Sequence, residues 1–148
     1  MKDHYEDYLR AVPVFSACSQ KELTRIASVI ERLDVRAGDV LVHEGAQASE
    51  FFIILSGQAQ VTRQGQFLAA LVPGRHFGEL ALLDPAPRNA TVAMTSDGQV
   101  LVLTQRQFFT LLHDVPGLVR QLLTGLAQRV HTLDPTAGRT HESAGQAT

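Results

Sequence analysis

The order of apolar and polar residues divides the chain into three zones, and the first of them is helical. Residues 1–30 place apolar side chains at helical spacing on either side of Pro13. Ser19 followed by Glu22 matches a capping box, which predicts that a second helix begins directly after Ser19. The positions that carry the helical spacing are Leu9, Val12, Phe15, Leu23, Ile26, Ala27 and Ile30.

The second zone, residues 31–104, consists of short apolar runs separated by glycine. Turn signals recur about every 8–12 residues, which is typical of a sandwich, a jelly roll or a barrel. Ser96-Asp97-Gly98 predicts a hairpin turn between the last two runs, because Asp-Gly accepts the positive φ angles of such turns. The strand-sized runs are VLVHEG, FFIILSG, AQVTRQG, QFLAALVPG, ATVAMTS and QVLVLT.

Helical spacing returns from Thr104 to Leu133. A stripe of Phe108, Leu111 and Leu112 predicts one helix, and Pro116 opens a second. Residues 134–148 contain no Leu, Ile, Val or Phe, so we expect a polar, disordered tail behind a domain of residues 1–133. The apolar positions of the last helix are Leu118, Leu122, Leu126, Val130 and Leu133.

Composition indicates one ordinary globular domain. The chain has 148 residues, of which 45% are hydrophobic and 19% are charged. Its net charge of −2 gives no general attraction to nucleic acids or anionic membranes. The single cysteine, Cys18, excludes an internal disulfide and is predicted to be a small buried residue. The sequence has neither a signal peptide nor an apolar membrane span, so we expect a cytoplasmic protein with no membrane partner.

One segment interrupts the β pattern and carries the candidate chemistry. A short helix-forming piece, Phe77–Asp84, stands between Pro73-Gly74 and Pro85-Ala86-Pro87. Helix starts attract anions, and we expect the amides of Leu80 and Ala81 to be unpaired there.

Two charged residues extend this expectation. Arg88 lies across the proline loop, and a guanidinium can form two parallel bonds to a phosphate. Glu79 can accept a hydrogen bond from a sugar hydroxyl beside that phosphate. Together they predict a site for a sugar phosphate that carries one free hydroxyl.

The cassette segment resembles a motif of a known family: the phosphate-binding cassette of the cyclic nucleotide-binding domain family is similar to FGELALLDPAPRNATV. This family includes bacterial catabolite activator proteins, regulatory subunits of cyclic AMP-dependent kinase and cyclic nucleotide-gated channels. The resemblance covers about residues 8–133. It implies a mainly β fold, a β-roll or jelly roll (double-stranded β-helix), with N-terminal helices, a short cassette helix and two C-terminal helices. Further similar positions, in the family's order, are Gly38-Asp39, Glu44-Gly45, Glu50–Ile54, Ser56-Gly57, Gly74 and Gln107-Phe108.

The resemblance also implies roles for individual residues. Glu79 would bind the ribose 2′-hydroxyl and Arg88 the cyclic phosphate. Asn89 stands where the family often has alanine, serine or threonine, and it can donate to phosphate or accept from the guanine amino group. We therefore expect cyclic AMP as the favoured regulatory ligand and cyclic GMP as the alternative. Backbone groups would come from Gly78, Leu80, Ala81 and Ala90.

The C-terminal helix is where the resemblance implies a switch. In the resembling proteins this helix folds over the base, and Arg129 lies near its far end, where a guanidinium can stack on a purine. Pro116-Gly117 would act as the hinge in front of the helix. The alternatives are that the apolar stripe is core, or that it is the seam of a homodimer.

Two functions remain open at this point. The segments outside residues 9–133 are short, so we expect a stand-alone sensor that signals by movement of the C-terminal helix to a separate, unknown protein partner. The alternative is an interaction or scaffold module of the same fold that has lost ligand binding, with Arg88 and Glu79 as a structural ion pair. We expect no enzyme, since neither a G-x-S-x-G nor a Walker A pattern is present. The histidines, at positions 4, 43, 76, 113, 131 and 141, lack metal-ligand spacing, so we expect them at the surface without a metal.

Overall fold

The computed structural model describes residues 5–83 and 86–132, with the side chains of residues 80 and 129–132 outside the description. The described residues form two compact units. Residues 5–30 and 106–132 make a helical unit, and residues 31–105 make a β unit. The predicted tail, 134–148, and Leu133 lie outside the described residues.

The helices begin and end close to the predicted positions. α1 spans Tyr5–Arg10, a 3-10 helix spans Pro13–Phe15, and α2 spans Gln20–Val29. The capping box is confirmed, because the Ser19 hydroxyl accepts from the Glu22 amide at 3.1 Å and the Glu22 carboxylate accepts from the Ser19 amide at 2.8 Å. α3 spans Gln105–Asp114 and α4 spans Leu118–Thr132. No helix in the described ranges is long and apolar enough to cross a membrane.

The first half of the α4 stripe belongs to the core of the helical unit. Leu118 and Leu122 are buried, and the Phe15 and Phe108 rings meet edge-on with their centres 6.3 Å apart. A Cβ atom added to Gly125 would lie 2.7 Å from the Pro13 carbonyl oxygen, so α4 lies directly against the first 3-10 helix. Leu123, next to the stripe, is 61% exposed. The core interpretation therefore holds for the start of α4.

The β unit consists of antiparallel sheets, which confirms the predicted fold class. One sheet has the strand order β1-β10-β4-β7, a second has the order β2-β9-β5-β6, and β3 pairs with β8. The two-residue strands and β1 carry too little apolar pattern to be found from the sequence. The bounds are Glu31–Val35 for β1, Val40–Val42 for β2, Gln47–Ala48 for β3, Glu50–Ser56 for β4, Ala59–Arg63 for β5, Gln66–Leu71 for β6, His76–Phe77 for β7, Ala86–Pro87 for β8, Thr91–Met94 for β9 and Gly98–Thr104 for β10.

A core shared by the two larger sheets holds the β unit together. Alternate residues of β4, β5, β9 and β10 contribute to it, as the two-residue period of a β-strand requires. β4 and β10 are buried on both faces, which explains why their sequences are continuously apolar. The core includes Val42, Phe52, Ile54, Val61, Phe77, Val92, Met94, Val100 and Val102.

The predicted hairpin at Ser96-Asp97-Gly98 is wrong. β9 and β10 belong to different sheets, so this segment is a crossover and not a tight turn. Gly98 does not have a positive φ. Its Cβ atom would instead collide with the Ser56 carbonyl oxygen, so the glycine is required by the close approach of two backbones.

Cys18 is confirmed as a buried residue, and its burial predicts low reactivity. Its side chain is 3% exposed. Burial, together with the charge of Glu22, raises the pKa of the thiol from 9.0 to about 11, and Arg10 opposes this rise. Since only the thiolate is alkylated, we expect iodoacetamide to label the folded protein at pH 8 about 100-fold more slowly than the unfolded chain.

A matched control is the Ser16→Cys, Cys18→Ala double variant, whose single thiol stands at an exposed position. Mass spectrometry of timed samples should show rapid labelling of this variant. Equal labelling rates for Cys18 in folded and unfolded protein would contradict the prediction.

Candidate functional site

Among the described residues of the β unit, two charged side chains are buried, and both belong to the predicted site. Glu79 is 4% exposed and Arg88 is 6% exposed. Burying a charge is unfavourable unless a partner or a hydrogen bond compensates for it. These positions therefore require an explanation from their surroundings.

Phe77 anchors the segment that leads to Glu79. It pairs with Phe52 across β4 and β7, and the two rings stack with their centres 4.9 Å apart. Gly78 follows with a φ of +87°, and a second 3-10 helix spans Glu79–Leu82. The predicted short helix is therefore present, as a single 3-10 turn.

The expectation of an unpaired amide at Ala81 is wrong. This amide donates to the Gly78 carbonyl oxygen at 3.0 Å. A 3-10 helix bonds each amide to the carbonyl three residues earlier, so its first amides are used sooner than in an α-helix. The side chain of Leu80, the other residue of that prediction, lies outside the description.

The backbone of Arg88 is held on both sides by the loop before β3. The Arg88 amide donates to the Ala46 carbonyl oxygen at 3.0 Å, and the Gly45 amide donates to the Arg88 carbonyl oxygen at 2.7 Å. These bonds continue the ladder between β3 and β8. They fix the position of the Arg88 backbone, from which the side chain extends into the interior of the β unit.

The Arg88 guanidinium reaches the first residue of β4. Its Nη2 atom donates to the Glu50 carbonyl oxygen at 2.5 Å. Burial lowers the pKa of Arg88 from its ordinary value, and the charge of Glu50 opposes that shift. The buried Nε atom has no hydrogen-bond partner within the described part of the structure. An unsatisfied buried donor costs about 1–3 kcal/mol, which an acceptor from a ligand would recover.

Gly78 lies against this guanidinium. A Cβ atom on Gly78 would be 2.6 Å from Arg88 Nη1 and 2.6 Å from the Glu50 carbonyl oxygen. The structure thus brings together Gly78, Glu79 and Arg88, as the sequence predicted. Arg88 adjoins the start of the short helix although it follows Glu79 by nine positions in the chain.

The remaining predicted residues occupy less central positions. Asn89 is exposed, and its carbonyl oxygen accepts from Arg63 Nε at 2.8 Å. Ala90 is buried. Arg129 lies in α4, but its side chain is outside the description, so its predicted contact with a base stays a prediction.

Sequence reasoning missed two residues of the site. Glu50 acts through its backbone carbonyl, which leaves no side-chain signal. His76, which we expected at the surface, is only 24% exposed, and its Nε2 atom lies 3.8 Å from Glu79 Oε2. Its spacing three residues before Glu79 was the available signal. The described residues contain no cluster of His, Cys, Asp or Glu that could hold a metal ion.

The family model for the cyclic nucleotide-binding domain matches residues 32–114. The cAMP-dependent protein kinase regulatory subunit of Hypocrea atroviridis is 36% identical over 132 residues, which cover 88% of this chain and 29% of that protein. The chain spans from 24% to 34% of the length of the curated relatives that it matches.

The chain is also similar in structure to solved proteins. The N-terminal domain of a transcriptional regulator from Streptomyces coelicolor A3(2) has a TM-score of 0.80 at 26% identity, covering 86% of this chain and 95% of that one. PKAR CBD2 bound to Sp-2Cl-cAMPS has a TM-score of 0.62 at 26% identity, covering 87% of this chain and 88% of that one.

The close approach at Gly78 generates a stability prediction. Gly78→Ala should lower the free energy of unfolding by about 1–3 kcal/mol more than Gly74→Ala, because the new methyl group collides with Arg88 and Glu50. Gly74 is a matched control, since its φ is +94° and no atom of the described residues lies within 4 Å of an added Cβ. Urea unfolding of both variants measures the difference. Equal losses would show that only the backbone angle matters.

Proposed function

The chain belongs to the cyclic nucleotide-binding domain family, and from this premise we propose that it binds a 3′,5′-cyclic nucleotide, preferring cyclic AMP to cyclic GMP, in the site around Glu79 and Arg88. It would act as a ligand-controlled regulator and not as an enzyme. It would have no direct nucleic-acid or membrane partner and would work in the cytoplasm.

The buried guanidinium of Arg88 is the observation that carries this proposal. Its position is fixed by the ladder to β3 and by the Glu50 carbonyl, while its Nε donor has no acceptor in the described part of the chain. A cyclic phosphate is a monoanion with two exocyclic oxygens. It would satisfy Nε and neutralise the buried charge at the same time.

Glu79 supports recognition of the sugar. A carboxylate accepts hydrogen bonds but cannot donate them, so it suits a ribose hydroxyl and disfavours a second phosphate. Its neighbour Gly78 has no side chain, so the Arg88 guanidinium can lie directly against the backbone beside Glu79. The backbone groups of Gly78, Leu80 and Ala90 remain part of the proposal, and the Ala81 amide does not.

The preference for cyclic AMP rests on the relatives. They include the cAMP-dependent protein kinase regulatory subunit of Hypocrea atroviridis and PKAR CBD2 bound to Sp-2Cl-cAMPS. Asn89, with its exposed side chain, offers groups that suit either nucleotide. We therefore propose modest discrimination in favour of cyclic AMP.

Binding would be passed on through α4 to a separate protein, with this chain acting as a stand-alone sensor. A homodimer through α4 is a second route, since Val119 and Leu123 of this helix are 51% and 61% exposed. A ligand can move such a helix only by binding one of its positions more tightly than the other.

Removal of the guanidinium tests the binding site. Arg88→Ala should weaken cyclic AMP binding by about 2–5 kcal/mol, because the phosphate would lose its desolvated charge partner. Isothermal titration calorimetry with cyclic AMP and cyclic GMP measures this loss. Arg75→Ala is the matched control, since this exposed arginine in the same segment should be dispensable. A folded wild-type protein that binds neither nucleotide would support the scaffold alternative, and unchanged affinity in Arg88→Ala would refute the site.

Hydrogen exchange tests the proposed output. Cyclic AMP should slow amide exchange in residues 78–88 and also across residues 122–132 of α4. Arg129→Ala should keep the protection of the first segment and lose much of that in α4. Protection confined to residues 78–88 would show that α4 serves packing or dimerisation alone.

A further inference from the structure

His76 is held beside the carboxylate that we propose binds the ribose. Its backbone lies in β7 opposite Ile53, and its ring centre lies 6.0 Å from that of Phe51. Its Nε2 atom lies 3.8 Å from Glu79 Oε2. This separation exceeds the usual N–H···O hydrogen-bond length of about 2.7–3.2 Å, so the two groups interact mainly through charge. The imidazole is partly exposed and can exchange protons with water.

The charged groups of the candidate site come from several elements. Glu79 on the second 3-10 helix is negative and lies 3.8 Å from the His76 Nε2 atom. Arg88 after β8 is positive, and Glu50 at the start of β4 is a negative charge that acts on it. Arg75, on the same segment as His76, points into solvent and is screened by it. When the imidazole is neutral, Glu79, Glu50 and Arg88 together carry one negative charge. An incoming cyclic phosphate then adds a second.

We propose that His76 positions the Glu79 carboxylate, and that the protonated imidazole strengthens nucleotide binding by neutralising this carboxylate beside the phosphate. The inference rests on the proposed function and adds that pH controls the affinity for the nucleotide. Histidine suits this role because its side chain ordinarily changes charge between about pH 5 and 8. Neither the phosphodiester nor the purine ring titrates in that range.

The affinity for cyclic AMP should therefore depend on pH. We expect the dissociation constant to be about tenfold lower at pH 5.5 than at pH 8.0, because the protonated imidazole would neutralise Glu79 beside the phosphate. Calorimetry at constant ionic strength over this range measures it. A His76→Gln variant should bind at the weaker level at every pH. A His76→Arg variant, whose charge is permanent, should bind at the tighter level at every pH.

His43→Gln is the matched control, because His43 is an exposed histidine of the same β unit and should leave the wild-type pH profile unchanged. A second measurement does not depend on variants. The ring proton resonance of His76 should titrate at higher pH in the presence of saturating cyclic AMP than in its absence.

The outcomes separate this inference from the proposed function. If cyclic AMP binds through Arg88 but His76→Gln keeps the wild-type pH profile, or if the ring proton titration does not move, the role of His76 is refuted and the binding function stands. If cyclic AMP fails to bind at any pH, both are refuted.

Discussion

The fixed position of one buried guanidinium is the constraint on which the site depends. The Arg88 backbone is hydrogen-bonded to Gly45 and Ala46, and its guanidinium donates to the Glu50 carbonyl oxygen. Gly78 must lack a side chain because the guanidinium occupies that space. Strand β8, the start of β4 and the segment after β7 are thus tied together by the need to bury and satisfy a single charge.

The sequence predicted those features that depend on residue type and local spacing. The capping box at Ser19, most strands and the grouping of Gly78, Glu79 and Arg88 follow from side-chain chemistry. The failures have a common physical cause. Gly98, the Ala81 amide and the Glu50 carbonyl are each determined by which backbone comes close in three dimensions. Backbone atoms are the same in every residue, so these contacts leave no mark in the sequence.

The two buried charges impose opposite requirements on a ligand. Arg88 demands an anion, whereas Glu79 resists one and accepts hydroxyl donors. A molecule that satisfies both must carry its phosphate and a hydroxyl a fixed distance apart, which a 3′,5′-cyclic ribose phosphate does rigidly. Free phosphate satisfies only the arginine, and an uncharged nucleoside satisfies only the carboxylate. Under the proposed function, the site would select by a pair of charges and not by overall potential, in keeping with the chain's net charge of −2.

The unsatisfied Nε atom of Arg88 has an evolutionary consequence. A buried charge with an unused donor makes the ligand-free fold less stable than an apolar side chain of similar volume would. Replacement of Arg88 by an apolar side chain of similar volume would therefore tend to be stabilising while it abolishes binding, and mutation without selection would remove the arginine. A domain that has turned to a purely structural role is free to make this exchange, whereas one that retains the arginine continues to trade stability for recognition.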